Sequence, residues 1–201
     1  MDSFFLLIVL AAGAYVLKSR DQGRRIALLG SYLGKYQLEK LMEGLTSGYL
    51  RALGEDDAER RQQVWSFLNA SELALSEQFD RFVTEMATVD EAEVRVSKLA
   101  LALPFADKMF PGSTFDLRKL LKIHAQGINR AVKNEHALSP KDKAFTLSAE
   151  LFLMQHTCHW FCRSKTVASV RLLRQHQTAY EQVLQAVSPE TRAAYQALIA
   201  G

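Results

Sequence analysis

An uninterrupted apolar run near the N-terminus limits what this chain can fold into. The residues from Phe4 to Leu17 carry no charge. Four cationic residues follow this run at once: Lys18, Arg20, Arg24 and Arg25. An apolar helix with cations on one side is typical of a membrane anchor, and the excess of Lys and Arg favours a cytoplasmic location for the chain that follows. We therefore predict a single transmembrane helix over residues 1–25, with its N-terminus outside, and a cytoplasmic domain over residues 26–201.

The run is short for a membrane span, because a helix needs about 20 apolar residues to cross a hydrocarbon core of roughly 30 Å. Counted from Met1, it reaches about 25 Å at 1.5 Å per residue. Snorkelling of Lys18 and Arg20, or thinning of the bilayer, can supply the difference. A cleaved signal peptide is a second interpretation, although the only charge before the run is Asp2 and its small residues lie inside the run. A buried or interfacial helix is a third.

The composition fits one globular domain behind the anchor. The chain has 201 residues, of which 48% are hydrophobic and 23% charged, and this balance allows a buried core. Its two cysteines lie close together and do not suggest a disulfide framework, which agrees with a reducing compartment. We expect the protein at a bacterial-type inner membrane, with most of the chain in the cytoplasm.

Charge is unevenly distributed along the domain. Residues 42–93 contain twelve acidic and four basic side chains, whereas residues 94–143 contain ten basic and four acidic ones. An anionic inner leaflet repels acidic segments and attracts basic ones. We expect the acidic segment to face away from the membrane, although both segments can also be ordinary solvated helix faces.

Nearly all of the chain has the pattern of helices. Four prolines lie where helices should begin or end, and Ser139-Pro140 and Ser188-Pro189 are typical helix starts. Ser113-x-x-Asp116 predicts a cap for a strongly amphipathic helix, and Asn69-x-x-Glu72 resembles a capping box that could divide a longer helix. The stretch Val94–Leu103 is ambiguous, but its Ala and Lys content favours helix. The fold class predicted is all-α: a bundle of about six to eight helices behind the anchor.

A dense group of metal-ligand residue types lies in one predicted helix. Cys158, His159 and Cys162 span an arc of roughly 100° on one helix, and zinc or another soft transition metal prefers such ligands. A fourth ligand would have to come from another helix, for which His124 is the candidate. The alternatives are a redox pair of cysteines or, more simply, two cysteines buried in the core.

Two regions are candidates for binding a partner. The loop after Pro104 is apolar and carries Phe105, Met109 and Phe110, which can form a partner patch or fold under the bundle. The following helix has a basic face formed by Arg118, Lys119, Lys122, Arg130 and Lys133. This face suits an acidic protein or lipid surface, or is simply solvated. Nucleic acid is disfavoured because the face lacks interleaved aromatic residues.

No motif for nucleophilic or metal-dependent catalysis is present in the sequence, so no catalytic or cofactor-binding residue is predicted. We expect a single-pass, membrane-anchored adaptor that docks a protein partner at the cytoplasmic face of the membrane. The first alternative is a membrane-tethered metal or redox sensor that uses Cys158, His159 and Cys162. The second is an enzyme whose site is assembled from scattered side chains on facing helices, which no linear motif reveals.

Overall fold

The computed structural model describes residues 2–100, 103 and 105–200, and most of these are helical. Eight α-helices follow the N-terminal one in this part of the chain, which confirms the predicted all-helical bundle. In chain order the elements are α1 (Asp2–Leu33), α2 (Leu38–Gly54), α3 (Ala58–Met86), β1 (Arg95–Ser97), α4 (Ala106–Met109), β2 (Thr114–Asp116), α5 (Leu117–Lys133), α6 (Pro140–Cys162), α7 (Lys165–His176), α8 (Tyr180–Ala186) and α9 (Pro189–Ala200). Single 3₁₀ turns lie at Glu91–Glu93 and Pro111–Ser113.

Helix α1 is continuous but has two halves in different environments. Every side chain from Phe4 to Leu17 is exposed, whereas Gln22 and Leu29 further along are buried. We call Phe4–Leu17 the bare half of α1. It covers only about 21 Å at 1.5 Å per residue before charged residues begin. Among the described residues, no helix has both the length and the apolarity that a bilayer crossing requires. The predicted transmembrane span is therefore not supported.

Helices α2 and α3 form a hairpin that packs against α5. The Asp57 carboxylate accepts a hydrogen bond from the Arg60 backbone N–H at 2.8 Å and so caps α3. The predicted break at Asn69 is wrong, since α3 runs unbroken from Ala58 to Met86. Glu72 is not a capping residue because its carboxylate is buried, where it accepts hydrogen bonds from the Tyr49 hydroxyl and the Lys143 ammonium.

The connection between α3 and α5 contains a short antiparallel strand pair. Strand β1 pairs with β2 so that Val96 lies opposite Phe115. The helix predicted over Val94–Leu103 is therefore wrong for Val94–Ala100, since Val94 and Val96 alternate into the core and the strand that pairs with β1 lies far along the chain. Residues 101–102 of that prediction lie outside the described part of the chain. Asp116 accepts a hydrogen bond from the Arg118 backbone N–H at 2.8 Å, so it caps α5 directly. The predicted cap Ser113 lies in the preceding 3₁₀ turn.

Helix α6 is the central element of the bundle, since it packs against α1, α2, α5, α7 and α8. Large side chains with almost no exposure belong to α5 and α6, among them Leu120, Leu121, Ile128, Leu147 and Phe161. The predicted starts are confirmed, because Pro140 begins α6 and Pro189 begins α9. The Ser164 hydroxyl accepts a hydrogen bond from the Val167 backbone N–H and so caps α7. The helical stretch after Pro140 is therefore divided into α6 and α7 at this residue.

Candidate functional site

A groove of about 340 Å³ runs between α1 and α2 on one side and α6 and α7 on the other. We call it the helix groove. Its floor is apolar and includes Leu29, Leu33, Leu38, Met42 and Met154. The groove continues into a wider section between α2 and α7 that shares Met42 and is mostly polar. Such a groove suits an elongated ligand with one apolar face.

The two walls of the wider section carry opposite charges. Glu39 and Glu43 lie on the α2 wall, and Arg171 and Arg174 lie on the α7 wall. All four side chains are exposed. Within the described ranges, no salt bridge joins the two walls. Four charged groups are therefore available to an occupant of the groove.

Sequence reasoning missed these four residues. Their spacing of four residues on α2 and three on α7 places each pair on one helix face. That signal shows which residues share a face, but the meeting of the two faces depends on how both helices pack on α6.

The predicted cysteine–histidine cluster lies along the floor of the helix groove. Cys158 is buried, Cys162 is half-buried, and both line the groove together with His159. Burial raises the pKa of the Cys158 thiol to about 12 and that of Cys162 to about 11. Both thiols are therefore protonated at neutral pH, whereas the thiolate is the form that attacks electrophiles and binds metals.

His159 is held at the groove rim by α7. The Arg171 Nη1 lies 3.3 Å from its Nδ1 and donates to it, so Nδ1 is the unprotonated ring nitrogen. Burial, followed by the charge of Arg171, lowers the pKa of His159. A neutral His159 is thus the form that faces the groove at neutral pH.

His124 does not join this cluster. Its Nε2 lies 2.8 Å from the Thr157 Oγ1, in the core between α5 and α6 and beside the Tyr195 ring. Thr157 and Cys158 are consecutive on α6, so their side chains point about 100° apart. Over the described part of the chain, no three His, Cys, Asp or Glu side chains are placed to hold one metal ion. A zinc or redox site at Cys158, His159 and Cys162 stays a prediction, without His124 as its fourth member.

A buried carboxyl fastens α9 to α6. The Glu150 Oε1 accepts hydrogen bonds from the Ser188 backbone N–H at 3.0 Å and from the Ser188 hydroxyl at 2.7 Å. Burial raises the pKa of Glu150. Gly127 of α5 lies against the same carboxyl, because a Cβ there would stand 2.3 Å from both the Glu150 Oε2 and the Thr191 Oγ1. This cluster holds three helices together at close range.

The predicted basic face of α5 is only partly available. Arg118 donates to the Asp116 carboxylate at 2.7 Å and to the Val89 carbonyl at 2.9 Å. Arg130 contacts Glu135 at 3.8 Å and the Ser188 hydroxyl at 3.3 Å. These two arginines therefore serve internal contacts. The remaining members, Lys119, Lys122 and Lys133, are exposed along one side of α5.

The four residues predicted to flank the membrane differ in their exposure and in their contacts. Arg20 and Arg24 are exposed, Lys18 is half-buried, and Arg24 lies 3.4 Å from Glu93. Arg25 is placed differently, with only 11% of its side chain exposed. It donates to the Asp21 carboxylate at 3.1 Å and to the Arg95 carbonyl at 2.8 Å, and its guanidinium lies 5.3 Å from the centre of the Phe161 ring. Arg25 therefore fastens α1 to the bundle and is not free to meet a membrane.

The apolar side chains predicted as a partner patch are exposed. Phe105, Met109 and Phe110 surround α4, and Leu103 precedes them. We call Leu103 together with 105–110 the apolar loop. These side chains do not fold under the bundle, which was the alternative interpretation.

Comparison of the chain with protein-family models, with curated proteins and with solved structures gives no significant match. The function has to be inferred from the geometry of the chain itself.

Proposed function

We propose that this protein is a membrane-attached helical adaptor, which binds a bilayer through the bare half of α1 and docks a protein partner on its bundle. The observation that carries the proposal is the division of α1. One half is exposed around its whole circumference, and the other is fastened to the bundle by Arg25 and Leu29.

A bilayer accounts for the bare half better than water does. Soluble proteins rarely expose contiguous apolar surfaces larger than a few hundred square ångströms, and the bare half exposes large side chains from Phe4 to Leu17. Insertion into hydrocarbon would remove this surface from water at about 25 cal/mol per Å². Lys18 and Arg20 would then lie among headgroups, where each cation near an anionic leaflet contributes about 1 kcal/mol. This preference favours the cytoplasmic leaflet as the site of attachment.

Flotation with vesicles tests the attachment. The full-length protein should float with vesicles of phosphatidylglycerol and phosphatidylcholine. The double variant Leu7→Lys, Leu10→Lys should stay at the bottom of the gradient, because it places two charges in the bare half. The control is Ala27→Lys with Ser31→Lys, which adds the same charge to exposed positions in the fastened half of α1. Equal flotation of both double variants would exclude the bare half as the attachment element.

The helix groove is the surface that supports partner docking. An amphipathic helix can lay its apolar side on the floor formed by Leu38, Met42 and Met154. Acidic residues on one edge of that helix would face Arg171 and Arg174, and basic residues on the other edge would face the α2 wall. Complementary charges of this kind set orientation and partner choice. A helix from a protein partner is therefore the occupant we infer.

Charge-reversal variants test whether the partner docks on the helix groove or on the basic face of α5. Arg171→Glu with Arg174→Glu should remove a stoichiometric partner from the purified full-length protein. Lys119→Glu with Lys122→Glu makes the same change in net charge on the exposed side of α5 and should leave that partner bound. Loss of the partner only in the α5 variant would move the docking surface to α5.

A further inference from the structure

The apolar loop lies beside α1 a short distance past Leu17, the last residue of the bare half. Met109 is 64% exposed, and Leu103, Phe105 and Phe110 are each more than 40% exposed. Four exposed large apolar side chains within eight residues form a concentrated patch. Lys108 lies within this patch, with its ammonium 5.7 Å from the centre of the Phe105 ring.

Contacts with α1 fix the loop at one level along that helix. The Asp107 carboxylate lies 3.6 Å from the Arg25 Nη2, and each of the two side chains is only 11% exposed. Leu103 borders a small pocket together with Asp21 and Arg25. Side chains of a helix tilt toward its N-terminus, so the Arg25 guanidinium lies near the level of Asp21. The loop is therefore held near the level of Asp21.

This level corresponds to the headgroups of an attached bilayer. If Leu17 lies at the edge of the hydrocarbon, the Asp21 level lies about 6 Å beyond it at 1.5 Å per residue, whereas the Arg25 backbone lies about 12 Å beyond it, outside the headgroups. The polar region on each side of a bilayer is about 5–7 Å thick. Exposed apolar side chains of a loop held near the Asp21 level are therefore within reach of the headgroup region.

The charges at this end of the bundle match an anionic surface. Lys18, Arg20, Lys98 and Lys108 are exposed or half-buried, and no salt bridge involves them within the described residues. Four of the neighbouring acids are paired with arginines of the bundle. Asp21 and Asp107 contact Arg25, Glu93 contacts Arg24, and Glu91 contacts both Arg95 and Arg118. The end of the bundle from which the bare half emerges is therefore basic as well as apolar.

We propose that the apolar loop is a second membrane contact, which places Phe105, Met109 and Phe110 among the headgroups of an anionic bilayer. The proposal rests on the membrane attachment of α1 proposed above. Aromatic and cationic side chains are the types that concentrate at membrane interfaces. Two contacts, one deep and one shallow, would set the orientation of the bundle on the surface.

Fluorescence quenching by brominated lipid tests the second contact. Met109→Trp is prepared in the full-length protein, and the emission of wild type, which comes from Trp65 and Trp160, is subtracted. The matched control is Phe67→Trp, because Phe67 is also exposed but lies on α3, in the acidic part of the chain. Vesicles contain equal amounts of phosphatidylglycerol and phosphatidylcholine, with or without bromine near the headgroup.

The tryptophan at position 109 should lose emission in brominated vesicles, because an interfacial side chain lies close to bromine near the headgroup. The tryptophan at position 67 should not change. If the protein floats with the vesicles but position 109 is not quenched, the loop does not touch the membrane and the attachment through α1 still stands. If the protein fails to float, both proposals are wrong. Equal quenching at positions 109 and 67 would also overturn the proposal, because it would mean unspecific adsorption.

Discussion

The close packing of Gly127 against Glu150 leads to a prediction in which two similar substitutions have opposite effects. Gly127 lies in α5 and Gly44 lies in α2. Replacement of a helical glycine by alanine favours the helix by about 1 kcal/mol at either position. At Gly44 a new Cβ would have no described atom within 4 Å, so Gly44→Ala should stabilise the protein by about that amount.

At Gly127 the same methyl group would collide with buried groups. It would lie 2.3 Å from the Glu150 Oε2, 2.3 Å from the Thr191 Oγ1 and 2.7 Å from the Glu150 carboxyl carbon. Overpacking costs about 1–3 kcal/mol. Displacement of the carboxyl would also leave the buried Ser188 N–H without its acceptor, which costs about 1–3 kcal/mol more. After subtraction of the helix-propensity gain, Gly127→Ala should destabilise the protein by about 1–5 kcal/mol.

Thermal unfolding of the full-length protein, followed by circular dichroism in a mild detergent, measures both effects. A loss of about 3 kcal/mol lowers Tm by about 6–12 °C for a chain of this size, whereas Gly44→Ala should raise Tm by about 2–4 °C. If Gly127→Ala is as stable as wild type while Gly44→Ala shows its increase, the close approach of α5 to the Glu150 carboxyl is incorrect.

Three further predictions concern single side chains. Arg25→Ala should weaken the packing of α1 on the bundle by about 2–3 kcal/mol, since it removes buried charged hydrogen bonds. Arg24→Ala removes only an exposed salt bridge and should cost under about 1 kcal/mol. Protease resistance of the junction between α1 and the bundle measures the difference. Burial raises the folded-state pKa of Glu150 above its ordinary value of 4.5, so between the unfolded and folded pKa values the folded protein holds a proton that the unfolded chain has lost. Stability should therefore fall as pH rises through this window. Glu150→Gln should flatten this slope in urea titrations, whereas an unchanged slope would contradict the raised pKa. Burial raises the pKa of Cys162 to about 11, so its thiol should react with iodoacetamide at pH 8 about two orders of magnitude more slowly than free cysteine. Equal reaction rates of Cys162 in the folded and the unfolded protein would contradict this expectation.

The helix boundaries could largely be predicted because their signals are local. Proline at the first helical position and a serine or aspartate cap act within one helical turn, as at Ser139-Pro140 and Asp57. The strand pair could not be recognised in this way. Strand β1 has only three residues, and its partner β2 is separated from it by α4 and a 3₁₀ turn. Three residues are too few for a periodic pattern to distinguish strand from helix.

The sequence could predict which site residues share one face of a helix, but not which faces of different helices meet. The common helix face of Cys158 and Cys162 follows from their spacing, and the structure places both along one groove. The distance of His124 from them depends on the packing of α5 against a different side of α6. The sequence also could not show that two predicted surface arginines make internal hydrogen bonds. Arg118 donates to the Val89 carbonyl and Arg25 to the Arg95 carbonyl, and only the fold brings these distant carbonyl groups near.

The continuity of α1 has a mechanical consequence for an attached protein. No turn separates the bare half from the part fastened by Arg25, so any tilt of the helix within a bilayer rotates the whole bundle through the same angle. The helix groove begins at Ile26, about 14 Å beyond Leu17 at 1.5 Å per residue. The distance from the lipid to the groove along α1 is therefore fixed, and a docked partner would change its orientation together with the tilt of this one helix.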